Sequence, residues 1–224
     1  MYLSKVSMIR SSQSAQELLK IGTNGNYASH QILWRLFSGE QERTFLYREE
    51  IGPDGLPQYF VLSQREPAQN ELVFSVQTKP YRPLLNAGDR LAFRLRVNPT
   101  VSVKNDTGKS QKHDVLMHAK HQAKKQGIKS GTELKCLMED AARSWISDER
   151  RLLAWGISLD FIPEVERYTQ HMSSKAKSQK IRFSSVDFEG VLTVVEPTIF
   201  LSRLVCGFGR AKSLGCGLML IRKI

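Results

Sequence analysis

The chain has 224 residues, 41% of them hydrophobic, which is enough for one medium domain or two small ones. Its 33 Lys and Arg against 22 Asp and Glu leave a formal charge of +11, so an anionic partner is expected. No apolar run reaches the roughly 18 residues of a membrane span, and the first residues alternate where a signal peptide needs a continuous apolar block. Three cysteines, Cys136, Cys206 and Cys216, form neither an even set nor a CxxC pair, which fits a reducing cytoplasm.

In chain order, Tyr2, Val6 and Met8 alternate with Leu3, Lys5 and Ser7 as a first strand. A Ser/Gln-rich connection then leads through Asn24-Gly25 to a helix from about Asn26 to Phe37, with Asn26 as its N-cap. Thr44 to Glu49 and Tyr59 to Leu62 read as strands around the turn-rich Gly52-Pro53-Asp54-Gly55-Leu56-Pro57, and Leu72 to Gln77 as another. Asp89 to Val97 is the most regular strand: Leu91, Phe93, Leu95 and Val97 face one way, Arg90, Arg94 and Arg96 the other. Strand, helix, two strands, a degenerate helical segment and a strand give the order of a ferredoxin-like βαββαβ unit over residues 1–98, closed by Asn98-Pro99.

The second unit spans residues 99–224. Val101 to Val103 is a short strand; Asp114 to Gln126 and Thr132 to Trp155 are helical. Ser158 to Glu166 carries no clear period. Arg182 to Phe188 and Val191 to Val195 read as paired strands around Glu189-Gly190. Glu196-Pro197 opens a helix to about Val205, and Gly217 to Ile221 is a last strand. This makes a second, irregular βαββαβ copy, so the fold class is α+β.

The first helix carries the chemistry-bearing residues. At about 100° per residue, Tyr27, His30, Gln31, Trp34 and Arg35 share one face, and Ile32, Leu33, Leu36 and Phe37 the other. A phenol, an imidazole and a guanidinium on one face suit RNA cleavage by its own 2′-hydroxyl, which needs proton transfer and positive charge but no metal. An imidazole with an ordinary pKa of about 6.5 suits that task. A lone helical histidine is more often a surface or packing residue, and that alternative stands beside the catalytic one. His118 and His121 are three apart, but no Glu or Cys completes a metal set near them. His113 lies in a polar loop and His171 beside a basic block.

Two acid-free basic stretches point to nucleic acid. One, His171 to Arg182, carries Lys175, Lys177, Lys180 and Arg182 among small residues, as a slim finger would. The other holds Gly207-Phe208-Gly209-Arg210-Ala211-Lys212-Ser213-Leu214-Gly215-Cys216-Gly217-Leu218. Glycines there permit positive φ and close approach, and Arg210 and Lys212 add positive field, while neither a dinucleotide fingerprint nor a Walker ending is present.

GFGRAKSLGCGL resembles the C-terminal glycine-rich loop of the CRISPR repeat-processing endoribonucleases, in the CasE branch of the type I-E Cascade complex. Met1-Tyr2-Leu3-Ser4-Lys5-Val6, Tyr27-Ala28-Ser29-His30-Gln31-Ile32-Leu33-Trp34, Phe93-Arg94-Leu95-Arg96-Val97-Asn98-Pro99 and Phe188-Glu189-Gly190-Val191-Leu192 match in family order. The resemblance implies tandem ferredoxin-like domains facing each other across a cleft. It implies His30 as principal general acid/base, Tyr27 as its helper and Arg35 as a supporting cation; Gln31 departs from relatives with a basic residue there. It implies RNA contacts by Lys175, Lys177, Lys180 and Arg182 on a basic hairpin and by Gly207, Gly209, Arg210, Lys212 and Gly215 on the loop. The expected partners are a CRISPR repeat RNA hairpin and other Cascade subunits, with no membrane, metal or small-molecule cofactor. The implied reaction leaves a 5′-hydroxyl and a 2′,3′-cyclic or terminal phosphate, with slow product release. Rival readings are a non-cleaving RNA-hairpin-binding subunit of the same kind of complex and a metal-dependent nuclease.

Overall fold

The computed structural model describes residues 1–39, 41–104, 107–174 and 180–224. They form two compact units: residues 1–84, 170–183 and 211–218 in the first, and 85–169, 184–210 and 219–224 in the second.

The first unit contains β1 (Tyr2–Met8), α1 (Ser12–Asn24), α2 (Asn26–Trp34) with a 3-10 turn at Arg35–Phe37, β2 (Phe45–Ile51), β3 (Pro57–Ser63) and β4 (Phe74–Pro80). Its sheet has the order β2-β3-β1-β4 with antiparallel neighbours, so β3 lies between β1 and β2. That is the ferredoxin-like split βαβ arrangement, with α1 and α2 as the crossover. Its core gathers Val6, Leu33, Tyr47, Tyr59 and Phe74, all essentially without solvent contact.

The second unit begins with β5 (Arg90–Val97), followed by β6 (Thr100–Lys104), β7 (Ser110–Asp114), α3 (Val115–Lys125), α4 (Gly131–Ile146), α5 (Glu149–Trp155) and β8 (Ile157–Leu159). After β9 (Glu164–Ser174) come β10 (Lys180–Val194), α6 (Pro197–Cys206) and β11 (Met219–Lys223), with the end of β9, the start of β10 and a 3-10 turn at Lys212–Leu214 belonging to the first unit. The sheet order β11-β5-β10-β8, with β9 also on β10, repeats the ferredoxin-like pattern. Leu91, Phe93, Leu95 and Val97 point into its core, as the period-2 pattern of β5 requires.

Four expectations change. The strand at Asp89–Val97 opens the second sheet instead of closing the first, because its neighbours are β10 and β11. The Ser/Gln-rich connection is α1: Ser11 caps it by accepting the Ser14 N–H at 3.0 Å, and its Leu18 and Ile21 pack on the first core. Asn26 is the first residue of α2, with Gly25 at the cap position. Glu189-Gly190 is no turn; β10 runs straight through it, and Gly190 stands where a Cβ would come within 3.1 Å of the Phe93 ring.

Two outward arginines of β5 are matched by acids in register on β10, and the third, Arg90, pairs with Asp160 at 2.7 Å. Arg96 meets Asp187 through two bonds of 2.8 Å, and Arg94 pairs with Glu189. Their charge is internally satisfied. Among the described residues no helix is long and apolar enough to cross a membrane.

Candidate active site on the second helix

Two glycines decide what can approach α2. Gly25, at φ 60°, joins α1 to α2, and a Cβ there would lie 3.0 Å from Ser173 Oγ and 3.1 Å from the Met172 carbonyl oxygen. The end of β9 therefore rests on the helix junction. Gly215, at φ 83°, lies against Tyr47, with a Cβ position 3.2 Å from that ring. The buried Tyr47 hydroxyl is shared between the carbonyl oxygens of Asn26 at 3.1 Å and Ser213 at 3.4 Å. It ties the start of α2 to the glycine-rich segment inside the first unit. Ala211, at the mouth of that segment, has φ 55°, a backbone strain of a kind that gathers at functional sites.

Tyr27, His30, Gln31, Trp34 and Arg35 line one open cavity of about 350 Å³. Ile32, Leu33, Leu36 and Phe37 are buried behind them, so the helix is two-faced as its period predicts. Gln31 Nε2 donates to the Tyr27 hydroxyl at 2.9 Å, a link between successive turns that holds the phenol at the cavity edge.

The His30 ring is half-buried. It contacts Trp34 edge-on at 5.4 Å and stacks near Phe45 at 5.9 Å and Tyr47 at 6.4 Å, measured between ring centres. Its Nε2 is buried with no hydrogen-bond partner among the described residues. Burial, reinforced by the Arg43 guanidinium, pushes its pKa down to about 4. The imidazole is therefore neutral at physiological pH, where an ordinary value near 6.5 would leave part of it charged.

Arg35 donates to Glu17 Oε1 at 2.8 Å, and Lys20 meets the same oxygen at 2.9 Å. Glu17 is buried on α1; burial alone raises its pKa, but hydrogen bonds from Arg35 and Lys20 carry it below the usual carboxylate value. Glu17, Arg43 and Tyr47 were not anticipated. Reading α1 as a connection concealed the Glu17–Lys20 spacing, and Arg43 sits in a polar turn with no periodic signal.

The remaining expected residues are dispersed. Lys180 and Arg182 are exposed on β10 within the first unit, near the stacked rings of His171 and Phe183 at 4.5 Å. Lys175 and Lys177 lie outside the described residues. Lys212 and Gly215 belong to the first unit, Gly207, Gly209 and Arg210 to the second. Gly207 ends α6 by donating to the Arg203 carbonyl at 2.8 Å, and Gly209 lies so close to Val97 that a Cβ has no room. Arg210 is exposed and bridges to Asn98 through the backbone. Among the described residues, no three His, Cys, Asp or Glu side chains are grouped to hold a metal.

The family profile described as "CRISPR associated protein" matches residues 1–223. The chain belongs to that family. This CRISPR associated protein is 29% identical over 223 residues to the CRISPR system Cascade subunit CasE of Escherichia coli strain K12, covering 98% of each chain. It superimposes on the CRISPR endoribonuclease Cse3 bound to a 19 nt RNA with a TM-score of 0.68 and 26% identity, over 99% of this chain and all of that one. The crystal structure of Cas6e from Escherichia coli K-12 gives 0.64 and 27% over the full length of both. Within the family the chain is therefore of the CasE type, and its tandem ferredoxin-like fold is theirs.

Proposed function

We propose that this chain is a metal-independent endoribonuclease that cuts CRISPR precursor RNA at the base of the repeat hairpin and then stays on the processed guide within a Cascade-type assembly in the cytoplasm. The observation that carries the reading is the cavity on α2, where a neutral imidazole, a phenol and a guanidinium meet, in a chain that aligns end to end with a Cascade subunit and with an RNA-bound endoribonuclease.

Neutral His30 takes the proton of the 2′-hydroxyl as that oxygen attacks the phosphorus. The P–O5′ bond breaks, and the departing oxygen is protonated by the imidazolium or by Tyr27. The products are a 2′,3′-cyclic phosphate and a 5′-hydroxyl. Arg35, anchored by Glu17, and Arg43 supply positive charge to the phosphorane. Because Nε2 is turned inward, presenting it to the substrate requires a flip of the ring, a side-chain motion that leaves the backbone in place. Lys180, Arg182, Arg210, Lys212 and the adjoining glycines serve the RNA backbone, and so do Lys175 and Lys177.

The test is cleavage of cognate repeat RNA in EDTA. Wild type cuts, and His30→Ala loses roughly 10²- to 10⁴-fold in single-turnover rate while still binding. Tight binding by wild type without cleavage, with or without magnesium, assigns the chain to the non-cleaving subunit instead.

A further inference from the structure

A second charged feature, separate from α2, lies in the second unit. From Lys104 to Lys129 the chain carries seven lysines and three histidines against two acids, Asp106 and Asp114. Asp114 is engaged internally: it caps α3 by accepting the Met117 N–H at 2.6 Å and also accepts from the Ser184 hydroxyl. Asp106 lies outside the described residues. The β6–β7 hairpin and α3 enclose a groove of about 400 Å³, walled by Val103, His113 and the internally bonded Asp114 from the hairpin and by Met117, His118 and His121 from the helix. The His113 and His118 rings are 5.8 Å apart, and His113 and His121 are exposed. On α3, positions 118, 121 and 125 share a face and 117, 121 and 124 the adjoining one, so exposed Lys125 and Lys124 continue the line of His121, whereas Lys112 points to the opposite face of the hairpin and meets Ser102.

The walls and rim differ in chemistry, and that difference narrows the ligand. A duplex tracked by its phosphates needs lysines but no recess, and an acidic peptide has no use for imidazole faces. A single strand uses both, setting bases on planar or apolar side chains while its phosphates follow the cations. We propose that this groove is a second nucleic-acid site for single-stranded RNA, with bases against His113 and His121 and phosphates against Lys124 and Lys125. RNA is the strand the proposed function brings to the molecule, and in that choice alone the inference rests on that reading.

The experiment measures fluorescence anisotropy against salt on a His30→Ala background, which keeps RNA whole. Its ligands are an unstructured RNA of about 12 nucleotides, a repeat hairpin without tails, the same hairpin with an unpaired flank, and single-stranded DNA. Lys124→Ala/Lys125→Ala should weaken the oligomer and the flanked hairpin about tenfold and lower the salt slope by about 1.4, two phosphates at about 0.7 each. His113→Ala should weaken both while leaving the slope unchanged. The bare hairpin should bind all variants alike. All three substituted residues are exposed, so an unchanged melting midpoint serves as the folding control. Equal oligomer binding by wild type and variants overturns the site. A lysine effect with none from His113 reduces it to a general cationic surface, and equal affinity for DNA overturns the assignment to RNA. Loss of hairpin cleavage in the wild-type protein with the oligomer response intact removes the nuclease reading alone.

Discussion

His30 makes a pH signature measurable without RNA. Its folded pKa of about 4 lies below the unfolded value of about 6.5, so the unfolded chain binds more protons between them. Stability present above pH 6.5 is therefore lost as pH falls, by at most about 1.6 kcal/mol between pH 6.5 and pH 5 from this residue alone. Urea titrations at the two pH values should show that increment in wild type and its absence in His30→Asn, whose side chain does not titrate. The same value sets the acid limb of kcat/KM, expected near pH 4 to 5, since that limb reports the free enzyme. A limb centred at 6.5 would mean that the catalytic imidazole is not the desolvated one described here. Glu17 offers a second test. Glu17→Gln leaves every cation in place but removes the charge that anchors Arg35, so single-turnover rate should fall about tenfold while the salt slope of RNA binding stays put. Arg35→Ala, by contrast, should change both.

At the scale of elements, the glycine-rich segment acts first as a joint. Gly215 combines positive φ with close contact to Tyr47, whereas Gly55 has nearly the same φ, 80°, and nothing near its Cβ position. Gly215→Ala should cost about 1 to 3 kcal/mol and reduce cleavage by displacing the start of α2, while Gly55→Ala shows only the smaller backbone cost. Thermal melts paired with single-turnover assays on the two variants separate strain from function. These joints also mark the limit of what was legible in the chain. The two faces of α2 were readable, because Ile32, Leu33, Leu36 and Phe37 repeat with the helical period, and so were the inward residues of β5. The pairing of β5 was not, because period 2 records which face is buried and says nothing of which strands lie beside it. Gly190 read as a turn for a related reason: its cause is the Phe93 ring on the neighbouring strand, a contact with no local trace. Tyr27, His30 and Arg35 were legible as a group by helical spacing. Glu17, Arg43 and Tyr47 come from other elements and joined them only through tertiary packing.

The whole molecule is interleaved. The first unit takes residues 1–84 from the start of the chain but also 170–183 and 211–218, so the chain enters it three times. A cut at residue 98 would do two kinds of damage. It would strand β5, whose Leu91, Phe93, Leu95 and Val97 are at most 3% exposed in the intact protein, without β10 and β11. It would also strip α2 of Ser173 at Gly25 and of Gly215 at Tyr47. A four-residue apolar face left without a partner is an aggregation-prone edge, and each of those side chains contributes about 1.5 to 3 kcal/mol when buried. A fragment of residues 1–98 should therefore elute as aggregate or bind a hydrophobic dye, with weak near-ultraviolet dichroism. Residues 1–84, freed of β5, should be more soluble yet still lack a rigid α2. Adding a peptide covering 211–218 to that shorter fragment should not restore cleavage, because Ser173 remains missing; a monomeric 1–98 fragment with native-like dichroism would show that the first unit needs neither return of the chain.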